Sequence, residues 1–192
     1  MKSILFAAML LLAASVVATG EAEKSTAIPE KKQTTLGLYV TAAQAYTRWE
    51  ADSTKVRILD VRTPDEYVFV GHARMAWNIP FKLQTYAWDD STRRFPMKSN
   101  PDFLARAKEL FSPTDTLLVM CRSGGRSAMA VNALAQAGFT RVYSIVDGME
   151  GDLDRDPASS NYGKRVKNGW KNAGNPWTYT IDPAKMKLPG TN

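Results

Sequence analysis

The stretch VMCRSGGRSAMAV, Val119 to Val131, carries the single cysteine of a 192-residue chain. An apolar run delivers Cys121 into a loop, Arg122-Ser123-Gly124-Gly125-Arg126, and a helix-like pattern begins near Ser127. Consecutive glycines let a backbone curl until several N–H groups converge, and a helix N-terminus adds its positive dipole end to such a nest. Arg122 and Arg126 add fixed positive charge. Together these features favour the thiolate, and so a nucleophile, at Cys121. The competing reading is a small buried hydrophobe beside a glycine turn, with both arginines pointing outward.

The rest of the composition narrows the chemistry. With one cysteine there is no internal disulfide, no CxxC redox pair and no cysteine-rich zinc site. A thiol protease needs a histidine base, and the one histidine, His72 in VGHARMAW, fits better as a hydrogen-bonded structural group at the entrance to a strand. An anion cradle forms a thiolate without a base. What remains is attack on a small anionic substrate carrying sulfane sulfur, phosphate or arsenate, with no metal and no cofactor called for.

The surrounding elements must hold that loop. LGLYV and KVRILDV read as strands, and RMAWNIP as a short strand closed by Pro80. TLLVM, uniformly apolar, reads as a strand covered on both faces. Thr41 with Gln44, and Thr63 with Pro64 and Glu66, have the spacing of helix starts. In PDFLARAKELF the spacing predicts one apolar face of Phe103, Leu104, Ala107, Leu110 and Phe111. RSAMAVNALAQAGF is an Ala-rich helix ended by Gly138, and RVYSIV is a final strand. Residues 82–100 show no period and read as a long loop or insertion. Strands alternating with helices predict an α/β domain with a largely parallel sheet, with Cys121 at the carboxyl end of a strand, where such sheets bind ligands.

At the N-terminus, Lys2 precedes an apolar run from Ile4 to Val17 and then Ala18-Thr19-Gly20. The run is shorter than the about 20 residues a membrane span needs, and it matches a secretory signal peptide over residues 1–20, cleaved near Gly20 and Glu21. A flexible lead-in over 21–35 and a domain over 36–152 follow. The protein is then expected to be periplasmic or secreted, free of the membrane after cleavage. Of the net charge of +6, much lies in residues 153–192, which hold seven Lys and Arg against three Asp. An exported protein rarely meets nucleic acid, so this basicity suits anionic substrates or acidic partners. That extension also holds Trp170 and Trp177, and is expected to pack on the domain.

LDVRTPDEYVFVGHARMAWNIP, Leu59 to Pro80, together with VMCRSGGRS, Val119 to Ser127, resembles the rhodanese sulfurtransferases over residues 37–150. The resemblance implies a central parallel sheet flanked by helices on both faces. It implies that Cys121 accepts sulfur from thiosulfate or a persulfide and hands it to cyanide, a thiol or a redox-protein acceptor. Arg122, Ser123, Gly124, Gly125, Arg126 and Ser127 match the cradle of the persulfide. Asp60, Arg62, Glu66 and His72 match an upstream motif that is mostly structural in the family. Phosphatases of the same fold separate cysteine and arginine by five residues; here four lie between Cys121 and Arg126, a ring suited to a sulfur atom before a tetrahedral oxyanion. A phosphatase or arsenate reductase, and a non-catalytic sulfur carrier, are the alternatives. Where the family closes with two glycines, an apolar residue and a Trp, this chain has VDGMEGDLD, and Trp170 is a candidate to fill that packing role.

Overall fold

A computed structural model describes residues 27–190. The expected signal peptide and the first part of the lead-in lie outside the described residues. In chain order the elements are β1 (Tyr39–Val40), α1 (Ala42–Ala51), β2 (Val56–Asp60), α2 (Pro64–Phe69), β3 (His72–Ala73), β4 (Trp77–Asn78), β5 (Lys82–Gln84) and β6 (Met97–Ser99). There follow α3 (Phe103–Leu110), β7 (Thr116–Met120), α4 (Gly125–Gln136), β8 (Val142–Ile145) and β9 (Trp177–Thr178).

Five strands form one parallel sheet in the order β1-β8-β7-β2-β4. Successive side chains of a strand point to opposite faces, and both faces of β7 are apolar. Leu117, Val119 and Cys121 turn toward a core that includes α3 and α4 through Phe103, Ala107, Val131 and Leu134. Leu118 and Met120 turn the other way, toward Ala42 and Ala45 of α1. The sheet is therefore covered on both sides, as expected of a parallel sheet. Both anticipated capping boxes are present, Thr41 with Gln44 and Thr63 with Glu66, and Pro64 sits in the first turn of α2.

Three readings need correction. Helix α4 begins at Gly125 and not near Ser127, because Gly124 takes the left-handed conformation (φ 97°) and turns the chain into the helix two residues earlier. On α3 the buried stripe is Phe103, Ala107 and Phe111, whereas Leu104 faces solvent. Residues 82–100 are not an aperiodic loop: β5 and β6 pair antiparallel, Lys82 opposite Ser99 and Gln84 opposite Met97. The Asp89 carboxylate organises the connecting turn by accepting from the N–H groups of Ser91 and Thr92. That Asp-Asp-Ser-Thr run is a turn signature.

The chain beyond residue 152 folds back onto the second face of the sheet. Trp170 is fully buried among Ile58, Leu118, Met120 and Ile145, and its indole N–H donates to the Pro176 carbonyl at 2.9 Å. Strand β9 pairs antiparallel with β3. The Asp147 carboxylate ties the turn after β8 to both neighbours, accepting from Ala42 N–H at 2.8 Å and Gly169 N–H at 3.0 Å.

Candidate active site

Cys121 follows the last residue of β7 and is 2% exposed. Its Sγ accepts the Gly124 N–H at 3.2 Å, so the loop curls back over the sulfur. Only one of the paired glycines is needed for its backbone: a Cβ on Gly124 would stand 2.3 Å from the Val146 carbonyl oxygen, whereas one on Gly125 would meet nothing within 4 Å. A second close approach fixes the base of the loop. Met149 N–H donates to the Cys121 carbonyl at 2.8 Å and Glu150 N–H to the Arg122 carbonyl at 2.9 Å. A Cβ on Gly148 would lie 2.4 Å from the Cys121 oxygen, so the divergent VDGMEG segment keeps a glycine where the backbones touch. The N–H groups of Ser123, Gly125 and Arg126 donate to no acceptor among the described residues, nor does the buried Ser127 Oγ find a partner there. Donors left open around a sulfur at a helix start can receive negative charge developing on it.

The loop's two arginines are not equivalent. Arg126 makes a bidentate ion pair with Glu66, Nη1 to Oε2 at 2.5 Å and Nη2 to Oε1 at 2.6 Å. Burial alone would lower the Arg126 pKa, but Glu66, with the charges of Cys121 and Asp60 adding to it, more than offsets this and the value is raised. Arg122 is exposed and makes no ion pair among the described residues. Both line a cleft of about 590 Å³ whose other wall is the β5–β6 hairpin, with Lys82, Arg94, Phe95, Pro96 and Met97. Its lining includes four cations and no carboxylate.

The upstream motif lies under the loop. Asp60 and Arg62 form a fully buried pair at 2.6 Å, and Arg62 also donates to the Gly71 carbonyl at 2.8 Å. His72 is buried with its ring stacked on Tyr67 at 3.8 Å and Nδ1 3.2 Å from the Tyr67 carbonyl oxygen. Burial is the main cause that lowers its pKa. Among the described residues no cluster of three or more His, Cys, Asp and Glu could hold a metal ion.

The sequence suggests that the 82–100 insertion borders the site, but no local signal singles out Lys82 and Arg94, because they come from a stretch without apolar period. The Asp89 turn signature was the available signal for the hairpin that carries them. The tail adds another: Arg165 lines a cleft with Ser123 of the cysteine loop.

A parallel sheet that ends in a cysteine, cradled by an amide loop at a helix start, defines the class of this domain. The chain belongs to the rhodanese-like domain family, which matches residues 41–153. It is similar to thiosulfate sulfurtransferase 16, chloroplastic, of Arabidopsis thaliana, with 42% identity over 92 residues, 48% of this chain and 69% of that protein. It is also similar to the mitochondrial protein HIGH ARSENIC CONTENT 1 of the same plant, with 32% identity over 115 residues, 60% of this chain and 63% of the relative. Among solved structures, Rv0390 of M. tuberculosis superposes with a TM-score of 0.58 at 27% identity, covering 73% of this chain and 96% of that one. A rhodanese-like domain from Anabaena sp. shares the fold at a TM-score of 0.51 and 22% identity, covering 74% of this chain and 80% of that one.

Proposed function

We propose that this protein is a sulfurtransferase that carries sulfane sulfur on Cys121. The Cys121 thiolate attacks the outer sulfur of thiosulfate, the S–S bond of the donor breaks, and sulfite departs with the electron pair. The product is a Cys121 persulfide. A thiolate or cyanide then attacks the terminal sulfur, and Cys121 leaves as the thiolate, giving a ping-pong cycle. Arg122 attracts the anionic donor, while Arg126, committed to Glu66, holds the loop in shape. The observation that carries the reading is the Gly124 N–H on Cys121 Sγ within a loop of otherwise open amides. The chain spans between 44% and 69% of the lengths of several curated relatives it matches, so donor and acceptor are part of the proposal.

Incubation with thiosulfate followed by intact mass measurement should add one sulfur to the wild type and none to Cys121→Ser. An unchanged wild-type mass would sink the reading. We also propose export, on the apolar run Ile4 to Val17; an unprocessed N-terminus on protein recovered from its native cell would count against it.

A further inference from the structure

The cysteine loop borders two clefts, and the second is built mainly by residues outside the family match at 41–153. It has a volume of about 420 Å³ and lies on the Ser123 side, lined by Lys31 from the lead-in and Arg155 and Arg165 from the tail. Its one carboxylate, Asp152, is held by Lys32 at 2.9 Å and by Asn168 at 3.3 Å. Lys31 and Arg155 are exposed and enter no hydrogen bond or ion pair with the described residues. Arg165 is anchored by donating to the Gly151 carbonyl. Burial and the like charge of Arg122 both oppose its protonated form, with Glu150 and Asp152 pulling the other way. Three cations thus line the cleft beside the loop, and its one carboxylate is neutralised by Lys32, which also lines it.

We propose that this cleft is an anion subsite which selects, as sulfur acceptors, small thiols carrying a sulfonate or carboxylate. The inference rests on the reading of Cys121 as the sulfur carrier. The acceptor's charged end sits on Lys31, Arg155 and Arg165 while its thiol reaches the Cys121 persulfide past Ser123. In the transfer the S–S bond at Cys121 breaks, a new S–S bond forms on the acceptor, and Cys121 returns as thiolate. The acceptor's own proton is released or stays on the new persulfide. Thiosulfate needs none of this cleft, because its sulfonate is directly bonded to the sulfur under attack.

The test separates the subsite from sulfur transfer. Cys121 is labelled with 2-sulfonatoethyl methanethiosulfonate and with the neutral 2-hydroxyethyl reagent. Each rate is normalised to that of N-acetylcysteine amide. In both reactions the Cys121 thiolate displaces methanesulfinate and forms a disulfide. The normalised anionic-to-neutral ratio is expected to be about tenfold above unity, as electrostatic focusing in a basic cleft produces. Arg165→Gln should cut the ratio at least threefold. The double change Lys31→Gln with Arg155→Gln, at exposed positions that cannot threaten folding, should do the same. Lys82→Gln with Arg94→Gln, on the hairpin side, should cut it less. A ratio near unity in the wild type, or an equal or greater loss in the hairpin pair, overturns the proposal. In the second arm, thiosulfate-loaded protein should hand sulfur to 2-mercaptoethanesulfonate with a KM about tenfold below that for 2-mercaptoethanol, and equal values overturn it. If thiosulfate adds no sulfur while the labelling ratio holds, the sulfurtransferase reading fails and the anion subsite stands.

Discussion

Glu66 and Arg126, 60 residues apart, join the start of α2 to the start of α4 through one carboxylate. Glu66 closes its own capping box by accepting the Thr63 N–H at 3.1 Å, and the same group grips the last arginine of the cysteine loop with two hydrogen bonds. The pair is largely shielded from water, with side chains 14% and 18% exposed. The loop that holds Cys121 is therefore fastened from outside as well as by its own amides.

Removing the carboxylate should be costly on both counts. Glu66→Ala is expected to lower the unfolding free energy by about 3 kcal/mol, since it strands the Arg126 charge and removes the Glu66 half of the α2 capping box. A double-mutant cycle with Arg126→Ala, read by urea denaturation, should give a coupling of about 1–3 kcal/mol. Burial pushes the Glu66 pKa up, but the hydrogen bonds and charge of Arg126, the Thr63 N–H and the charge of Arg62 together outweigh it, and the folded value lies below the ordinary one. The stabilisation is thus complete above about pH 4.5 and fades as pH falls through the folded pKa. A coupling that stays constant down to pH 3 would contradict this.

The two loop glycines should behave differently. Gly124→Ala places a Cβ against the Val146 carbonyl in a left-handed conformation, and should cost about 2 kcal/mol or more and slow sulfur loading. Gly125→Ala sits at the first helical position with open space around it, and should match or exceed wild-type stability. Thermal denaturation and the intact-mass assay on both variants check the contrast.

Trp170 belongs to the core although it lies beyond the family match. Trp170→Ala should destabilise by about 3–5 kcal/mol, the range for emptying a large aromatic site. Truncation after Asp152 should leave a chain without a cooperative unfolding transition, measured by near-ultraviolet circular dichroism. A truncated chain that melts like the full protein would show the tail to be dispensable.

His72 gives a pH signature distinct from that of Glu66. Burial holds its folded pKa below the ordinary value, with the Tyr67 carbonyl opposing. The unfolded chain takes up this proton near pH 6.5, before the folded one does. Stability is then present above about pH 6.5 and lost as pH falls toward the folded pKa, with a slope of at most about 1.4 kcal/mol per pH unit. His72→Gln should flatten that slope between pH 7 and 5, whatever its effect on stability at neutral pH.

What could be read directly from the chain is what depends on neighbours within a few residues. The capping boxes at Thr41 and Thr63, the apolar strand Thr116–Met120 and the strand–loop–helix around Cys121 are of this kind. Each is fixed by hydrogen bonds or side-chain alternation over a turn or a few residues of strand. The destination of a long charged side chain is not local. Nothing close to Arg126 along the chain pairs its charge; α2 brings Glu66 against it from 60 residues away. The hairpin wall, the burial of Trp170 and the meeting of Lys31, Arg155 and Arg165 beside Ser123 depend on how distant segments pack. Sequence determined where the thiol is and what loop surrounds it. Tertiary structure decided which charges stay available to it, because ion-pair partners are chosen by proximity in space and not along the chain.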